Sequence, residues 1–224
     1  MINITFEDIN IDAIICLNSQ FDVDPIYYFV KNKIIIIAAD GAGTYLLSQK
    51  IEPDFIVGDL DSFFSKPDVA DLFPKERLVF VQEQETNDFE KCLKFAIEKE
   101  YKNILIFGIH GGIFEHSLNN WSVLSKYSKI LNLVALDKYR YGFCMNKSFK
   151  LETYYNEIVS LIPLGSAKIT TENLQWKLDD EKLMLGEREG ARNVALGEFI
   201  KVELHSGELF IFLDSRFPKF LKFN

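Results

Sequence analysis

Cysteine, histidine and tryptophan are scarce in this chain of 224 residues. It contains three cysteines, three histidines and two tryptophans. Cys16, Cys92 and Cys144 form no CxxC pair, so their spacing predicts neither a disulfide framework nor a zinc ribbon. We therefore expect the protein to work in a reducing compartment, the cytoplasm.

Long hydrophobic runs and an excess of positive charge are missing as well. No stretch approaches the ~18 apolar residues that span a bilayer, and no basic segment precedes an apolar one at the N-terminus. The net charge is −8, which disfavours binding to nucleic-acid phosphates or to an anionic membrane. We expect neither partner. An anionic ligand would need a divalent cation or local basic groups.

Two common nucleotide-binding signatures are also absent. The chain has no GxxxxGK[ST] segment, and Gly41 and Gly43 lack the third glycine of a dinucleotide fingerprint. These two modes of phosphate binding are therefore not predicted.

Short β-branched runs alternate with helix-period segments over about the first 135 residues. This pattern is typical of a parallel sheet covered by helices, and uninterrupted runs such as 34–39 are expected for strands buried on both faces. Helices are predicted at Asn87–Glu100 and Phe114–Tyr127. The predicted strands are Ile11–Leu17, Lys33–Ala39, Asp54–Val57, Leu78–Gln82, Asn103–Phe107 and Leu131–Leu136.

Beyond about residue 145 the pattern changes to short strands separated by turn signals such as Pro163–Gly165 and Ser206–Gly207. Such a pattern predicts an all-β domain of hairpins. We expect an α/β domain over residues 1–143 and an all-β domain over residues 144–224.

Acidic residues follow several predicted strands. Asp40 follows the second strand, Asp59 and Asp61 follow the third, and Asp88 comes after the fourth. Strand exits of an open α/β sheet meet at one edge, where clustered carboxylates repel unless a divalent cation neutralises them. Oxygen ligands favour Mg²⁺. Each loop alone is equally explained by turn chemistry, but together they predict a metal-assisted enzyme acting on a nucleotide or a phosphate.

Four segments in the first domain carry a more specific signal: Ala39–Gly41, Pro53–Ser62, Asn87–Leu93 and Gly111–His116. In this order they resemble the ADGG, PDxIxGDxDS, TDFxKxL and GGRxDH motifs of the thiamine pyrophosphokinase family. In the second domain, the segments around Trp176, Gly186 and Asn193 are similar to further motifs of that family. The resemblance extends from about residue 38 to the C-terminus.

The resemblance implies an ATP-binding α/β domain, a C-terminal β-sandwich, and a homodimer that holds thiamine between its subunits. It implies transfer of pyrophosphate from Mg-ATP to the thiamine hydroxyl, with AMP leaving. The implied catalytic and metal-binding residues, which would hold one or two Mg²⁺ ions, are Asp59, Asp61 and Asp88. The implied ATP-binding residues are Asp40, Gly41, Thr44, Lys91, Gly111, Gly112 and His116. The implied thiamine-side residues are Gln84, Glu115, Arg192 and Asn193.

The chain departs from the family motifs at a few positions. Ile113 replaces an arginine, Glu115 replaces an aspartate, and Arg192 replaces the serine before Asn193. Arg192 and Lys91 are candidates for restoring the lost charge, although Lys91 is equally explained as a solvated lysine on a helix face and Arg192 is better explained as an exposed hairpin arginine. The departures leave two alternatives open: a related pyrophosphokinase acting on another hydroxymethyl heterocycle, such as a pterin, or a non-catalytic nucleotide-binding protein. Which aspartate acts as a base is also left open.

Overall fold

The computed structural model describes residues 1–19, 21–111 and 113–224. The chain divides into two compact units, one of residues 11–138 and one of residues 1–10 together with 139–224. The boundary lies at 138/139 rather than at the expected 143/144, because Arg140–Met145 pairs with Leu209–Asp214. Residues 1–10 join the same unit because the N-terminal strand β1 (Ile2–Glu7) pairs with strands of the C-terminal region.

In its described residues, the unit of residues 11–138 contains a parallel sheet whose order is β7-β6-β2-β3-β4-β5. Its strands are β2 (Ala13–Cys16), β3 (Ile35–Ala39), β4 (Phe55–Gly58), β5 (Leu78–Phe80), β6 (Asn103–Phe107) and β7 (Asn132–Asp137). Ile14, Ile37 and Leu105 are fully buried, as expected for strands covered on both faces. Each predicted strand is present, with bounds shifted by a few residues.

Helices connect these strands. They are α1 (Asp24–Lys31), α2 (Ala42–Ser48), α3 (Asp61–Phe64), α4 (Pro67–Ala70), α5 (Asp88–Glu98) and α6 (Phe114–Tyr127), with a 3-10 turn at Lys75–Arg77. The two predicted helices, α5 and α6, are confirmed. Asn87 caps α5 by accepting a hydrogen bond from the Glu90 amide at 2.9 Å. No described helix is long and apolar enough to cross a membrane.

The second unit is all β. After β1 its strands are β8 (Arg140–Met145), β9 (Phe149–Glu152), β10 (Ile158–Glu172), β11 (Glu181–Met184), β12 (Gly190–Val194), β13 (Phe199–Asp214) and β14 (Phe220–Phe223). β1 lies between β14 and β9. β13 is antiparallel to β8, β9 and β10, and β10 also pairs with β11 and β12.

The long strand β13 changes partner along its length, pairing with β9 over 199–202 and with β8 over 209–214. Gly207 lies between these halves with φ +87°, and a Cβ atom there would lie 2.1 Å from the Ser166 carbonyl oxygen. Glycine therefore permits the close approach of β10 and β13 at this irregularity of their pairing, and strands that change partner in this way form two-layer β structures. The fold class expected from the sequence, an α/β domain followed by an all-β domain, is confirmed.

Candidate active site

The strand order creates a crevice between β2 and β6. The chain leaves β2 toward β3 on one side and leaves β6 toward β7 on the other, and ligands of open α/β sheets bind at such a switch point. Ser19, just after β2, connects the exits of β2 and β6 by donating hydrogen bonds to the carbonyl oxygens of Gly108 (2.9 Å) and His110 (3.1 Å).

Three carboxylates converge at this edge of the sheet. Asp40 follows β3, Asp59 follows β4 and Asp88 begins α5, and each contributes one oxygen to a group lying within 4.8 Å of one another. Asp40 is buried and has φ +40°. Its two oxygens accept hydrogen bonds from the backbone amides of Ser62 (3.2 Å) and Phe63 (3.0 Å), so they cap the short helix α3. The sequence prediction that acidic residues gather at one edge is confirmed for this trio.

Gly58, the last residue of β4, permits the close approach of two of these carboxylates. A Cβ atom at this position would lie 3.0 Å from the Asp40 Cβ and 3.1 Å from the Asp88 Oδ1, and the residue has φ +157°. Any side chain here would push Asp40 and Asp88 apart. The glycine is thus a requirement of the acidic trio.

Lys91 supplies a positive charge inside the trio. Its Nζ lies 3.1 Å from Asp88 Oδ1 and 3.8 Å from Asp59 Oδ2, and its side chain is only 2% exposed. The interpretation of Lys91 as a solvated surface lysine is therefore wrong. Gln84 completes the contacts of Asp59 by donating a hydrogen bond from Nε2 to Oδ2 at 3.2 Å.

The surroundings shift the pKa values of two carboxyls in opposite directions. Burial raises the pKa of Asp88, and the charges of Asp40 and Asp59 add to this against the opposing effect of Lys91. Burial also acts to raise the pKa of Asp59, but hydrogen bonds from Gln84 and the Asp61 amide, with the Lys91 charge, lower it overall. Neighbouring carboxyls in different environments are typical of functional sites.

The carboxylate of Asp61 is not part of the trio. Asp61 is exposed at the start of α3, and its backbone amide donates a hydrogen bond to Asp59 Oδ1 at 3.4 Å. Leu60, with φ +63°, turns the backbone between the two aspartates. Asp40, predicted as an ATP-binding residue, occupies the third position of the trio instead, and a metal-binding role for Asp61 stays a prediction.

A polar cleft of about 610 Å³ opens beside the trio. Besides Asp59, Asp88, Lys91 and Gln84, its lining includes Asn18, Asn87, Gly111, Ile113, His116 and Asn120. Predicted site residues from three different strand exits therefore line this cleft. Glu115, in the first turn of α6, is exposed and is not among its lining residues.

A larger cleft of about 980 Å³ adjoins the first, since Asn18, Ser19 and Gly111 line both. Its apolar lining includes Phe21, Tyr45, Phe107 and Leu136. Its polar lining includes His110 and Asp137, whose Nε2 and Oδ2 atoms lie 2.9 Å apart. One wall is thus aromatic and another is acidic.

The remaining residues predicted for the α/β domain lie near these clefts or outside the described chain. Gly41 precedes α2 and lies against the Asn18 side chain. Thr44 is buried in the first turn of α2, and its Oγ1 has no hydrogen-bond partner within the described residues. Gly112 lies outside the described residues.

Arg192 and Asn193 lie on β12 in the all-β unit. Asn193 is buried, its Oδ1 accepts a hydrogen bond from the Trp176 amide (3.1 Å), and its Nδ2 donates to the Trp176 carbonyl (2.8 Å). It therefore fixes the backbone of an exposed tryptophan. Arg192 is exposed with φ +55°, and its amide donates to Ser160 Oγ at 2.9 Å.

Sequence reasoning missed Asn18 and Ser19. It considered the exits of the later strands, where aspartates and glycines are conspicuous, and not the exit of β2. Only the strand order identifies these two residues. Because β6 lies beside β2, the exit of β2 is at the switch point of the sheet, where ligands bind.

These features define an α/β protein with an acidic, lysine-bearing ligand site at the carboxyl edge of its sheet. Two models of a single family match the chain: thiamin pyrophosphokinase, catalytic domain, at residues 26–135, and thiamin pyrophosphokinase, vitamin B1 binding domain, at residues 146–209. Together they cover most of the sequence. The chain belongs to the thiamine pyrophosphokinase family.

Individual relatives agree with this assignment. Thiamine pyrophosphokinase 1 of Oryza sativa is 30% identical over 68% of this chain and 63% of its own length. Thiamine pyrophosphokinase 1 of Arabidopsis thaliana is 30% identical over 71% of this chain and 65% of its own. The chain thus spans less than two thirds of these relatives.

Solved structures share the fold. The thiamin pyrophosphokinase of yeast superposes with a TM-score of 0.77 at 17% identity, covering 92% of this chain and 87% of its own. That of Geobacillus thermodenitrificans superposes with a TM-score of 0.73 at 20% identity, covering 91% and 98%. The fold of both units is therefore that of known structures.

Proposed function

We propose that this protein transfers a pyrophosphoryl group from Mg-ATP to the hydroxyl of thiamine, giving thiamine diphosphate and AMP. The observation that carries this proposal is the trio of Asp40, Asp59 and Asp88 with the buried Lys91 beside a polar cleft. The same chain matches both a catalytic and a B1-binding model of one family, which supports both a nucleotide and a thiamine as substrates.

The donor set fits a magnesium ion. Three carboxylate oxygens lie within 4.8 Å of one another, and Mg²⁺ prefers oxygen ligands and shares its sites with substrate phosphates. Asp40, Asp59 and Asp88 would hold the ion, and the exposed Asp61 is a further proposed ligand for one or two ions. When bound, the ion would neutralise charge on the phosphate oxygens.

In this proposal one nucleotide occupies both clefts. The phosphates lie in the smaller cleft with Lys91, Gly111 and His116, and the nucleoside lies in the larger cleft. Gly112 is kept as a proposed ATP contact on its family motif alone. The aromatic wall of the larger cleft suits a nucleobase, and the Asp137 carboxylate suits the ribose hydroxyls. We assign Gly41 and Thr44 to the ATP site because Gly41, just before α2, lies against the Asn18 side chain.

The reaction requires in-line positioning more than covalent catalysis by the protein. The thiamine hydroxyl attacks the β-phosphorus, AMP leaves, and one of the aspartates accepts the hydroxyl proton. Gln84 holds Asp59 in place. On the thiamine side we keep Glu115 and Arg192 as proposed contacts, whereas the hydrogen bonds of Asn193 support an indirect role in holding Trp176.

We also propose that the protein works in the cytoplasm. Cys16 and Cys92 are free and buried, and burial raises the pKa of both thiols. Unpaired thiols suit a reducing compartment.

An assay with ATP, Mg²⁺ and thiamine tests the proposed reaction by detecting AMP together with thiamine diphosphate. We expect Asp59→Asn to lower turnover by about 100-fold or more, with an unchanged circular dichroism spectrum, and Asp71→Asn, an exposed aspartate outside the clefts, to retain activity. AMP formed only with a pterin-type alcohol would reassign the acceptor. ATP binding without AMP from any acceptor would show that the protein is not an enzyme of this type.

A further inference from the structure

Lys91 occupies the position at which the trio would otherwise be free to take a cation. Its ammonium group approaches Asp88 Oδ1 at 3.1 Å and Asp59 Oδ2 at 3.8 Å, so two of the three converging carboxylates already have a positive partner. We infer that Lys91 is an internal counter-ion that excludes a free divalent cation from the trio, so that the metal enters only together with nucleotide phosphates.

The burial of Lys91 sets it apart from an ordinary helix-surface lysine. Lys94, one turn further along α5, has a side chain that is 46% exposed and pairs with Glu83, whereas the Lys91 side chain is 2% exposed. A buried ammonium persists only where charged partners compensate it. Lys91 and the trio are therefore mutually dependent in the absence of any ligand.

Competition for the same carboxylate oxygens accounts for the exclusion of a free ion. Asp40, Asp59 and Asp88 carry three negative charges when ionised and Lys91 carries one positive charge. A divalent ion that enters must share oxygens with the ammonium and is repelled by it at close range, where Coulomb energies are large. Asp40 alone does not hold a free ion, because a single carboxylate, whose oxygens also accept hydrogen bonds from Ser62 and Phe63, supplies too few ligands without Asp59 and Asp88.

Nucleotide phosphates end the competition between Lys91 and the metal for the carboxylate oxygens. Lysine is a compact cation with three rotatable donors on a flexible stem, so phosphate oxygens entering the cleft give its ammonium a new partner. Asp59 and Asp88 are then released toward the metal that accompanies the phosphates. This step rests on the proposed function for the identity of the ligand as a nucleoside triphosphate, but the exclusion of free metal does not depend on thiamine or on turnover.

Binding of Mn²⁺, a spectroscopic substitute for Mg²⁺, tests the inference by electron paramagnetic resonance without and with ATP. We expect weak binding to the wild type without ATP and clear binding with it. Lys91→Met removes the internal cation and should bind Mn²⁺ without ATP at least about tenfold more tightly than the wild type. Lys91→Arg keeps the charge and should resemble the wild type.

Lys126→Met is the matched control, because it removes an ammonium paired with Glu90 outside the trio and should leave Mn²⁺ binding unchanged. Equal Mn²⁺ affinity of Lys91→Met and the wild type would overturn the inference. If Lys91→Met fails to fold, the wild type still decides: equally tight Mn²⁺ uptake with and without ATP would overturn it, and uptake only with ATP supports it. If no AMP forms when thiamine is supplied with ATP and Mg²⁺, that result would count against the proposed function alone.

Discussion

At the scale of single residues, Ile113 marks where this chain departs from its family. It is 55% exposed and lines the smaller cleft beside Asp88 and Lys91. An arginine there could bind phosphate oxygens through two charge-assisted hydrogen bonds. We expect Ile113→Arg to fold normally and to bind Mg-ATP about tenfold more tightly, a gain of about 1.4 kcal/mol, measured by isothermal titration calorimetry.

Phe114→Arg is a demanding control for that substitution. Ile113 is the N-cap of α6 and Phe114 its first residue, so both variants place a cation near the positive end of the helix dipole. Phe114 is exposed and is not among the lining residues of the cleft. An equal change in affinity for both variants would show that position 113 does not contact the phosphates.

Gly58 offers a second test at this scale. We expect Gly58→Ala to destabilise the fold by about 1–3 kcal/mol and to weaken Mg-ATP binding, because the new methyl group would contact Asp40 and Asp88. Urea unfolding and calorimetry measure the two effects. Gly197→Ala, where a Cβ atom meets nothing within 4 Å, should change neither. A fully stable, ATP-binding Gly58→Ala protein would refute the requirement for close packing.

At the scale of helices and strands, local pattern predicted most of the α/β unit. The run at 34–39 is apolar without alternation, and β3 is indeed buried on both faces. The helix-period segment at Asn87–Glu100 predicted α5, in which Phe89, Cys92 and Leu93 are buried on one face and Asn87 caps the start. The apolar run and the helix period depend only on residues that are close in sequence. A single segment of the chain is therefore enough to predict them.

Long-range pairing could not be predicted in the same way. β1 belongs to the all-β unit because it pairs with Phe149–Leu151 and Phe220–Phe223, far along the chain. The third carboxylate of the trio is that of Asp40 and not that of Asp61. This arrangement depends on positive φ angles at Asp40 and Leu60, and no residue pattern in the sequence predicted these angles. The sequence thus predicted that acidic strand exits would meet at one edge, but it predicted neither the part played by the exit of β2 nor which carboxylates would meet.

A buried acid joins the strands of the all-β unit. Glu157, just before β10, has a fully buried side chain that accepts hydrogen bonds from Arg216 Nη2 (2.9 Å) and from the Asp214 amide (3.2 Å). Burial raises the pKa of Glu157, the nearby Asp214 charge adds to this, and Arg216 opposes it. The folded protein therefore retains this proton to a higher pH than the unfolded chain does.

This shift predicts a pH-dependent difference in stability. Between the unfolded pKa near 4.5 and the higher folded pKa, the folded state binds more protons, so its free energy of unfolding falls as pH rises. Glu157→Gln cannot titrate at this position. We expect it to gain stability relative to the wild type as pH rises from about 4.5 to neutrality, measured by urea unfolding at several pH values.

The exposed Glu198 is the matched control for Glu157. Comparing each variant with the wild type cancels the titration of all other groups. Glu198→Gln makes the same chemical change at an exposed position. A pH-dependent difference for Glu157→Gln no larger than that for Glu198→Gln would contradict the raised pKa of Glu157.

At the scale of the whole molecule, exposed apolar side chains bear on the oligomeric state. The C-terminal segment around Phe210 is rich in aromatic side chains. Phe210 is buried in β13 and pairs with Cys144 of β8 and Ile162 of β10, so this segment serves the core of its own unit. Large exposed apolar side chains lie elsewhere: Phe114 and Leu118 on α6, and Tyr155, Trp176 and Leu185 in the all-β unit.

We expect these exposed side chains to be covered in a homodimer, because apolar groups of this size are costly to leave in water and most soluble oligomers are symmetric pairs. Sedimentation equilibrium at micromolar concentration should give about twice the 25.9 kDa chain mass. If two copies share the thiamine site, specific activity should fall on dilution as the dimer dissociates, and it should recover on reconcentration. A monomer by sedimentation whose specific activity is constant over the same dilution series would rule out a shared site, while leaving the nucleotide site at Asp59 and Asp88 unaffected.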